Sequence, residues 1–139
     1  MSAVVGKRIL VTGATGALGS RIAAGLASQG ATVVVSGRSD EKLAGLHLPD
    51  SSERYAVDLA LPGAAAALID AVTTDGPLDG LVIAHGVVAF GAIDELSADA
   101  AETLDRLNFA SPQALIRSSV PALKASAEAG NEPFILTIS

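Results

Sequence analysis

Three glycines recur at every third residue directly after a short apolar run, and this spacing is typical of phosphate binding. The run is Ile9-Leu10-Val11, and the glycines are Gly13, Gly16 and Gly19. A glycine-rich turn between a strand and a helix presents free backbone N–H groups and the positive end of the helix dipole, and glycine lets an anion approach the backbone. The G-x-x-x-x-G-K-S/T alternative is excluded, because no Lys-Ser or Lys-Thr pair follows the glycines. We therefore predict that the pyrophosphate of a dinucleotide binds at this turn.

The residues after the turn have helical periodicity, so the glycines lie between a strand and a helix. Larger and smaller side chains fall on two neighbouring stripes: Leu18, Ile22 and Leu26 on one, and Gly19, Ala23 and Ala27 on the other. The stripe of small residues lets the helix pack closely on the strands beneath it. A strand, a glycine turn and an amphipathic helix in this order form the context that a dinucleotide fingerprint requires.

The rest of the chain alternates apolar strands with helical segments. We predict strands at 9–11, 31–35, 54–58, 81–84 and 134–138, and helices from 18 to the stop at Gly30, at 40–46, at 61–73 opening at Pro62, and at 98–128 with a disturbance at 108–112. This pattern predicts one α/β domain over 1–139, a Rossmann-type doubly wound parallel sheet of about five strands with helices on both faces. The third strand is the most polar and is predicted at an edge.

Composition narrows the classes of partner. Half of the residues are hydrophobic, and the net charge of −6 argues against binding to nucleic acid or to an anionic membrane surface. The chain has no cysteine for a disulfide or a thiolate metal site, and no spacing of His, Asp and Glu suggests a metal. The longest uncharged stretch of the second half, 80–93, is too short to span a bilayer, and the N-terminus lacks a signal-peptide layout. We expect a soluble, cytoplasmic protein.

Five segments, in order, resemble the short-chain dehydrogenase/reductase family. They are the glycine turn Thr12–Gly19, the pair Asp58-Leu59, the strand end Leu81–Gly86, the helical segment Asn108–Pro112 and the strand Ile135–Ser139. The resemblance implies that Asp58-Leu59 contacts the adenine, that Asn108 is the structural and catalytic asparagine, and that Ser139 lies at or next to the catalytic serine. With the strand-end residues, the predicted cofactor-binding set is Gly13, Thr15, Gly16, Ala17, Leu18, Gly19, Ser36, Arg38, Asp58, Leu59, Ala84, His85 and Gly86.

The chain departs from the family pattern at two of these segments. Ala17 fills the middle glycine position of the common T-G-x-x-x-G-x-G motif, and the spacing found here resembles the extended or atypical branches. The family's Asn-Asn-Ala-Gly appears as Ile83-Ala84-His85-Gly86, so the asparagine contacts are not carried over. We interpret His85 as a residue beside the site and not as a catalytic base.

The family's chemistry depends on a tyrosine acid/base in a Tyr-x-x-x-Lys pair downstream of the serine, and that pair is missing from these 139 residues. The only tyrosine is Tyr55, with Leu59 where the lysine would stand. Reduction of a carbonyl needs a positioned proton donor, and a neighbouring ammonium lowers the pKa of a phenol. We expect that a full member continues beyond Ser139 and that this chain alone turns over no substrate.

The end of the second strand bears on the choice of cofactor. An acidic residue there would bind a ribose 2′-hydroxyl and favour NAD. This chain has Ser36, Gly37 and Arg38 instead, and Arg38 could pair with a 2′-phosphate. The sequence therefore favours NADP(H) over NAD(H), with a solvated arginine as the alternative.

Three functions remain open from the sequence. The first is the nucleotide-binding part of an oxidoreductase, whose full-length parent acts on a small alcohol or carbonyl substrate. The second is a non-catalytic dinucleotide-binding regulatory module. The third is an interaction fragment, which would form homo-oligomers through the Asn108–Glu128 helix or through the apolar Phe134–Ile138 edge.

Overall fold

A computed structural model of the chain describes residues 3–139, and within this range the strands form one parallel sheet. The elements in chain order are β1 (Arg8–Thr12), α1 (Ala17–Ser28), β2 (Thr32–Gly37), α2 (Asp40–Ala44), β3 (Glu53–Ala56), α3 (Ala64–Asp75), β4 (Gly80–Ile83), a 3₁₀ turn (Ile93–Glu95), α4 (Ala98–Asp105), a π turn (Arg106–Ala110), α5 (Ser111–Glu128) and β5 (Phe134–Thr137). The predicted five-stranded α/β architecture is confirmed.

The strand order is β3-β2-β1-β4-β5, which places β1 at the centre. Ile9 of β1 is opposite Val33 of β2 on one side and Gly80 of β4 on the other. The chain therefore builds the sheet outward in one direction through β3, returns, and builds outward in the other direction through β5. A crevice opens where the order reverses, beyond the carboxyl ends of β1 and β4. The predicted edge position of β3 is also confirmed.

The central strands β2, β1 and β4 are buried on both faces, because successive side chains of each strand point to opposite faces and helices cover both, whereas the edge strands β3 and β5 are more exposed. Leu10, Val34 and Leu81 pack with residues of α3 and α5 on one face. Ile9 and Val33 pack with residues of α1 and α2 on the other. The helices on the two faces hold the carboxyl ends of the strands in register, and those ends form the floor of the crevice.

The small stripe of α1 faces the sheet, as the sequence predicts. Gly19 and Ala23 are buried, and Ile22 and Leu26 are partly buried against the same core. Leu18, at the start of the helix, is half exposed. The helix thus approaches the strands through its smallest residues, which brings its first turn down to the end of β1.

Several predicted boundaries are wrong by a few residues, for identifiable reasons. Helix α3 begins at Ala64 and not at 61, because Gly63 adopts a left-handed conformation with φ of 76°. Strand β2 continues through Ser36 and Gly37, which pair with β3. Strand β3 ends at Ala56, before Asp58, and α2 ends at Ala44.

The predicted disturbance in the long helix is a π turn over Arg106–Ala110. It lies just before Pro112, which has no N–H to donate to the carbonyl of the residue four positions earlier, so a regular α-helix is interrupted there. Ser97 caps the start of α4 by accepting a hydrogen bond from Ala100 N at 3.1 Å. The π turn joins α4 to α5, and it carries Asn108.

A buried polar cluster closes the opposite end of the sheet. Asp79 accepts hydrogen bonds from Arg8 N at 2.8 Å and from Ser126 Oγ at 2.6 Å. The Arg8 guanidinium pairs with Glu53 and donates to the carbonyl of Val72 at 2.8 Å. This cluster joins β1, β3, α3 and α5 below the strands. Among residues 3–139, none of the helices has the length and hydropathy needed to cross a membrane.

Candidate functional site

A cleft of about 190 Å³ opens at the carboxyl ends of β1, β2 and β4. Its lining residues are Gly13, Thr15, Gly16, Ser36, Gly37, Arg38, Val57, Leu59, Ala84, His85, Gly86, Val87 and Leu107. Nine of the predicted cofactor-binding residues are therefore brought together: Gly13, Thr15, Gly16, Ser36, Arg38, Leu59, Ala84, His85 and Gly86. The cleft lies at the point where the strand order reverses, which is where sheets of this kind bind ligands.

The three glycines of the turn have different surroundings. Gly13 has φ of 63°, and a Cβ there would lie 2.7 Å from the backbone of His85. A Cβ on Gly19 would lie 2.1 Å from the carbonyl oxygen of Gly13. A Cβ on Gly16 would meet only that same oxygen, at 3.3 Å, and Gly16 is exposed. Gly13 and Gly19 are thus required by packing, whereas the open side of Gly16 faces the cleft.

The N-terminus of α1 is directed at the same place and is left uncapped. Gly16 is the N-cap residue, has no side chain to accept a hydrogen bond, and is followed by a first turn without acidic residues. The first N–H groups of a helix have no partner within the helix, and they attract anions together with the helix dipole. Ala17 and Leu18 are exposed in this first turn and Gly19 is buried, and none of these three predicted residues lines the cleft.

The end of β2 forms one wall of the cleft, through Ser36, Gly37 and Arg38. Ser36 is fully buried, and its Oγ has no hydrogen-bond partner among the described residues. Thr15 packs on Gly37, where an added Cβ would lie 2.9 Å from Thr15 Cγ2. Arg38 is exposed and takes part in neither of the ion pairs found within residues 3–139. A buried hydroxyl without a partner is costly, and Ser36 is thus an exception among the buried polar side chains of residues 3–139.

Of the pair Asp58-Leu59, Leu59 lines the cleft and Asp58 is hydrogen-bonded within the turn after β3. Leu59 is buried and lines the cleft. Asp58 is exposed, and its Oδ1 accepts a hydrogen bond from Ala60 N at 3.0 Å. The carboxylate therefore stabilises the turn after β3, and it does not line the cleft in this structure.

His85 follows β4, and both ring nitrogens have partners. Nδ1 lies 2.8 Å from Thr12 Oγ1, and Nε2 lies 2.7 Å from Ser111 Oγ. Burial lowers the pKa of His85 from its usual value of 6.5 and outweighs a hydrogen bond to the backbone of Leu107, which acts in the opposite direction. The ring is therefore neutral at neutral pH and is held by the protein.

Asn108 lies on the π turn, with its side-chain amide bound to the loop after β4. Its Oδ1 accepts from Val87 N at 2.9 Å, and its Nδ2 donates to the carbonyl of Val87 at 2.7 Å. The amide thus holds the cleft wall, and Asn108 itself does not line the cleft. Ser139 is exposed beyond the carboxyl end of β5 and does not line it either.

Some residues of the cleft were not predicted from the sequence. Gly37, Val57, Val87 and Leu107 complete its lining. Leu107 lies on the π turn, and nothing in the sequence indicates that this turn brings it to the cleft. Ser111 likewise carries no sequence signal as the partner of His85.

The fold and the cleft define a doubly wound α/β protein with a cleft where the strand order reverses. The sequence pattern of the family described as short chain dehydrogenase matches residues 7–139. The chain therefore belongs to the short-chain dehydrogenases, and the resemblance seen in its motifs is confirmed.

Solved structures with the same fold bind nicotinamide dinucleotides. A metagenomic short-chain oxidoreductase in complex with NADP is 31% identical, with a TM-score of 0.88 over 99% of this chain and 64% of that one. A 3-oxoacyl-(acyl-carrier-protein) reductase from Agrobacterium tumefaciens C58 with NADP bound is 27% identical, with a TM-score of 0.82 over 88% of this chain and 49% of that one. An NADH-dependent reductase, A1-R′, complexed with NAD is 24% identical, with a TM-score of 0.84 over 96% and 59%. The chain spans about half to two-thirds of the length of these proteins.

Proposed function

We propose that this chain binds a nicotinamide dinucleotide in the cleft, with the pyrophosphate at the glycine turn. The observation that carries the proposal is the contrast between the glycines: Gly13 and Gly19 are fixed by packing, while Gly16 is open toward the cleft beside an uncapped helix N-terminus. That contrast matches the roles of the glycines in a dinucleotide fingerprint, namely a tight turn, close approach to the pyrophosphate, and helix packing. The NADP and NAD complexes of the similar structures support the same class of ligand.

The adenosine end of the dinucleotide would lie against the end of β2, and we propose a preference for NADP(H). Ser36 and Arg38 both line this wall, and Arg38 is the charged residue among those lining the cleft. A guanidinium can bind a phosphate with two hydrogen bonds, whereas an acidic residue, which would favour NAD, is absent between Ser36 and Ser39. Leu59 would contact the adenine.

The parent reaction is proposed to be hydride transfer between the dinucleotide and a small alcohol or carbonyl substrate. A bound nicotinamide supplies or accepts the hydride. Of this chain's residues, Asn108 holds the wall beside the cleft through Val87, and Ser139 would lie next to the catalytic serine. These 139 residues contain no Tyr-x-x-x-Lys pair, so they lack the tyrosine and the neighbouring lysine that would act together as the proton donor. We therefore propose that the chain alone binds the dinucleotide but does not oxidise NADPH when ketones are added.

Titration of the chain with NADPH and NADH tests this proposal, with nucleotide fluorescence as the readout. We expect saturable binding of both, tighter for NADPH. Arg38→Ala is expected to weaken NADPH binding about tenfold and to leave NADH binding nearly unchanged, since one charge-assisted pair is lost. Arg117→Ala, at an exposed position on α5, is the matched control. Absence of saturable binding would refute dinucleotide binding, and equal affinities unaffected by Arg38→Ala would refute the NADP preference.

A second candidate function is association through the open edge of the sheet. Strand β5 is an edge strand, and Ile135, Leu136 and Ile138 are between 36% and 49% exposed. Unpaired apolar edges favour pairing with another chain. We expect Ile135→Lys to abolish any dimer detected by light scattering, and a monomeric wild-type chain would argue against this function.

A cytoplasmic location also stays a prediction, which cell fractionation would test.

A further inference from the structure

His85 connects two elements on opposite sides of the cleft floor. Its ring lies between Thr12, at the end of β1, and Ser111, at the start of α5. Both partners are buried, with Thr12 fully inaccessible and Ser111 4% exposed. A neutral imidazole has one donor and one acceptor nitrogen, so it can link two hydroxyl groups only if their hydrogens are arranged consistently.

The surrounding bonds give that arrangement a direction. Ser111 Oγ donates to the carbonyl of Leu107 at 3.1 Å, so its oxygen is free to accept from His85 Nε2–H. Nδ1 is then the acceptor and takes the hydrogen of the Thr12 hydroxyl at 2.8 Å, a shorter contact than the 3.5 Å from the same hydroxyl to the carbonyl of Val82. The Thr12 oxygen in turn accepts from Ala84 N at 3.3 Å. Every group has a partner when His85 is neutral and protonated at Nε2.

This linkage acts on the wall of the cleft. The wall residues Gly86 and Val87 follow His85 directly, and Asn108 binds both backbone groups of Val87. The His85 backbone lies 2.7 Å from the position of a Cβ on Gly13, so a movement of this loop would change the space beside the glycine turn. Asn108 ties the loop to the helix, whereas His85 ties it to the helix and to β1 together.

We propose that His85 is a positioning residue: its neutral ring, bonded to Thr12 and Ser111, fixes the 84–87 wall in the geometry that binds the dinucleotide. The proposal rests on the proposed function, because the dinucleotide is the occupant of the cleft. It requires hydrogen bonding by residue 85, and not merely a side chain that fills the space.

Two substitutions separate hydrogen bonding from packing. His85→Leu fills the space without polar atoms, whereas His85→Gln keeps an amide that can donate to Ser111. We expect His85→Leu to raise the Kd for NADPH about tenfold and His85→Gln to recover most of that loss. His47→Leu, at the exposed second histidine, is the matched control and should bind as the wild type does. Equal affinity of the Leu variant and the wild type would overturn the proposal and leave dinucleotide binding intact.

Measurements without nucleotide keep the test independent of the proposed function. We expect nitrogen NMR to show His85 protonated at Nε2, and Ser111→Ala to shift its signals. Hydrogen exchange at the amides of Ala84 and Val87 should be faster in His85→Leu than in His85→Gln. If the wild type binds no dinucleotide, the proposed function fails, and the exchange rates still decide whether His85 positions the wall. Equal exchange in the two variants, or a ring protonated at Nδ1, would overturn the positioning role.

Discussion

Alanine substitution of individual glycines separates dinucleotide binding from folding. A methyl group on Gly16 would meet only the Gly13 carbonyl oxygen, at 3.3 Å, and the backbone there (φ −78°, ψ 168°) is accessible to any residue. A methyl group on Gly19 would lie 2.1 Å from that oxygen, which no backbone can accommodate without moving. Gly25, also in α1, has no atom within 4 Å of an added Cβ and is the matched control.

The magnitudes follow from these surroundings. Gly25→Ala is expected to stabilise the fold by about 1 kcal/mol, since alanine favours a helix interior. Gly16→Ala should cost about 0.5–1 kcal/mol, because alanine is a poorer N-cap than glycine. Gly19→Ala should cost about 3 kcal/mol from overpacking at the turn. For binding, the Gly16 methyl group stands where the pyrophosphate would approach, and we expect a loss of about 1.4–3 kcal/mol, which is at least tenfold in Kd.

The assay combines urea unfolding with NADPH titration of each variant. The expected pattern is a folded Gly16→Ala chain with weakened binding, a stabilised Gly25→Ala chain with unchanged binding, and a Gly19→Ala chain that loses much of its stability. If Gly16→Ala binds NADPH as tightly as the wild type while remaining folded, the dinucleotide does not approach this turn and the reasoning is refuted.

Three further predictions concern the stability of the fold and the titration of its side chains. Asp79→Ala should lower the free energy of unfolding by about 2–4 kcal/mol, because Arg8 N and Ser126 Oγ lose their buried acceptor. Asp94 is exposed, and Asp94→Ala should change the free energy of unfolding by less than about 0.5 kcal/mol in the same urea titration. Burial lowers the pKa of His85 in the folded state, so the unfolded chain binds a proton more readily below pH 6.5. The free energy of unfolding should therefore fall as the pH drops through that value, and it should fall less in His85→Gln. Superimposable pH profiles of the wild type and His85→Gln would contradict this. Burial raises the pKa of Tyr55, the only tyrosine, and the nearby carboxylates of Asp75 and Glu53 raise it further. An absorbance titration should show the phenol ionising above its usual pKa of 10 while the chain is folded. Ionisation at the usual pKa in the folded chain would contradict this.

The glycine turn was predictable because local sequence determines it. An apolar strand, three glycines and a small-residue stripe all favour the same local structure, and the alternation of strands and helices predicts a parallel sheet. The strand order β3-β2-β1-β4-β5 was not predicted, because alternation alone is compatible with more than one order. The ends of the strands were predicted less accurately, because Ser36 and Gly37 extend β2 by pairing with β3. Pairing of this kind depends on residues distant in sequence.

The cleft wall was the least predictable part. Its shape depends on the π turn, which presents Asn108 to Val87 and Ser111 to His85 across separations of 21 and 26 residues. The sequence signals a disturbance near Pro112 but not the width of the turn. Asp58 shows the opposite case, because its sequence position suggests a ligand contact while its carboxylate is bound to the adjacent turn.

Backbone NMR during a titration with NADPH would test most directly whether the glycine turn binds the pyrophosphate. We predict saturable shifts of the amide signals of Gly13, Thr15 and Gly16, and of the first turn of α1, with little change at the far end of the sheet around Asp79. Shifts confined to other surfaces, or no shift at the turn at saturating nucleotide, would contradict the account.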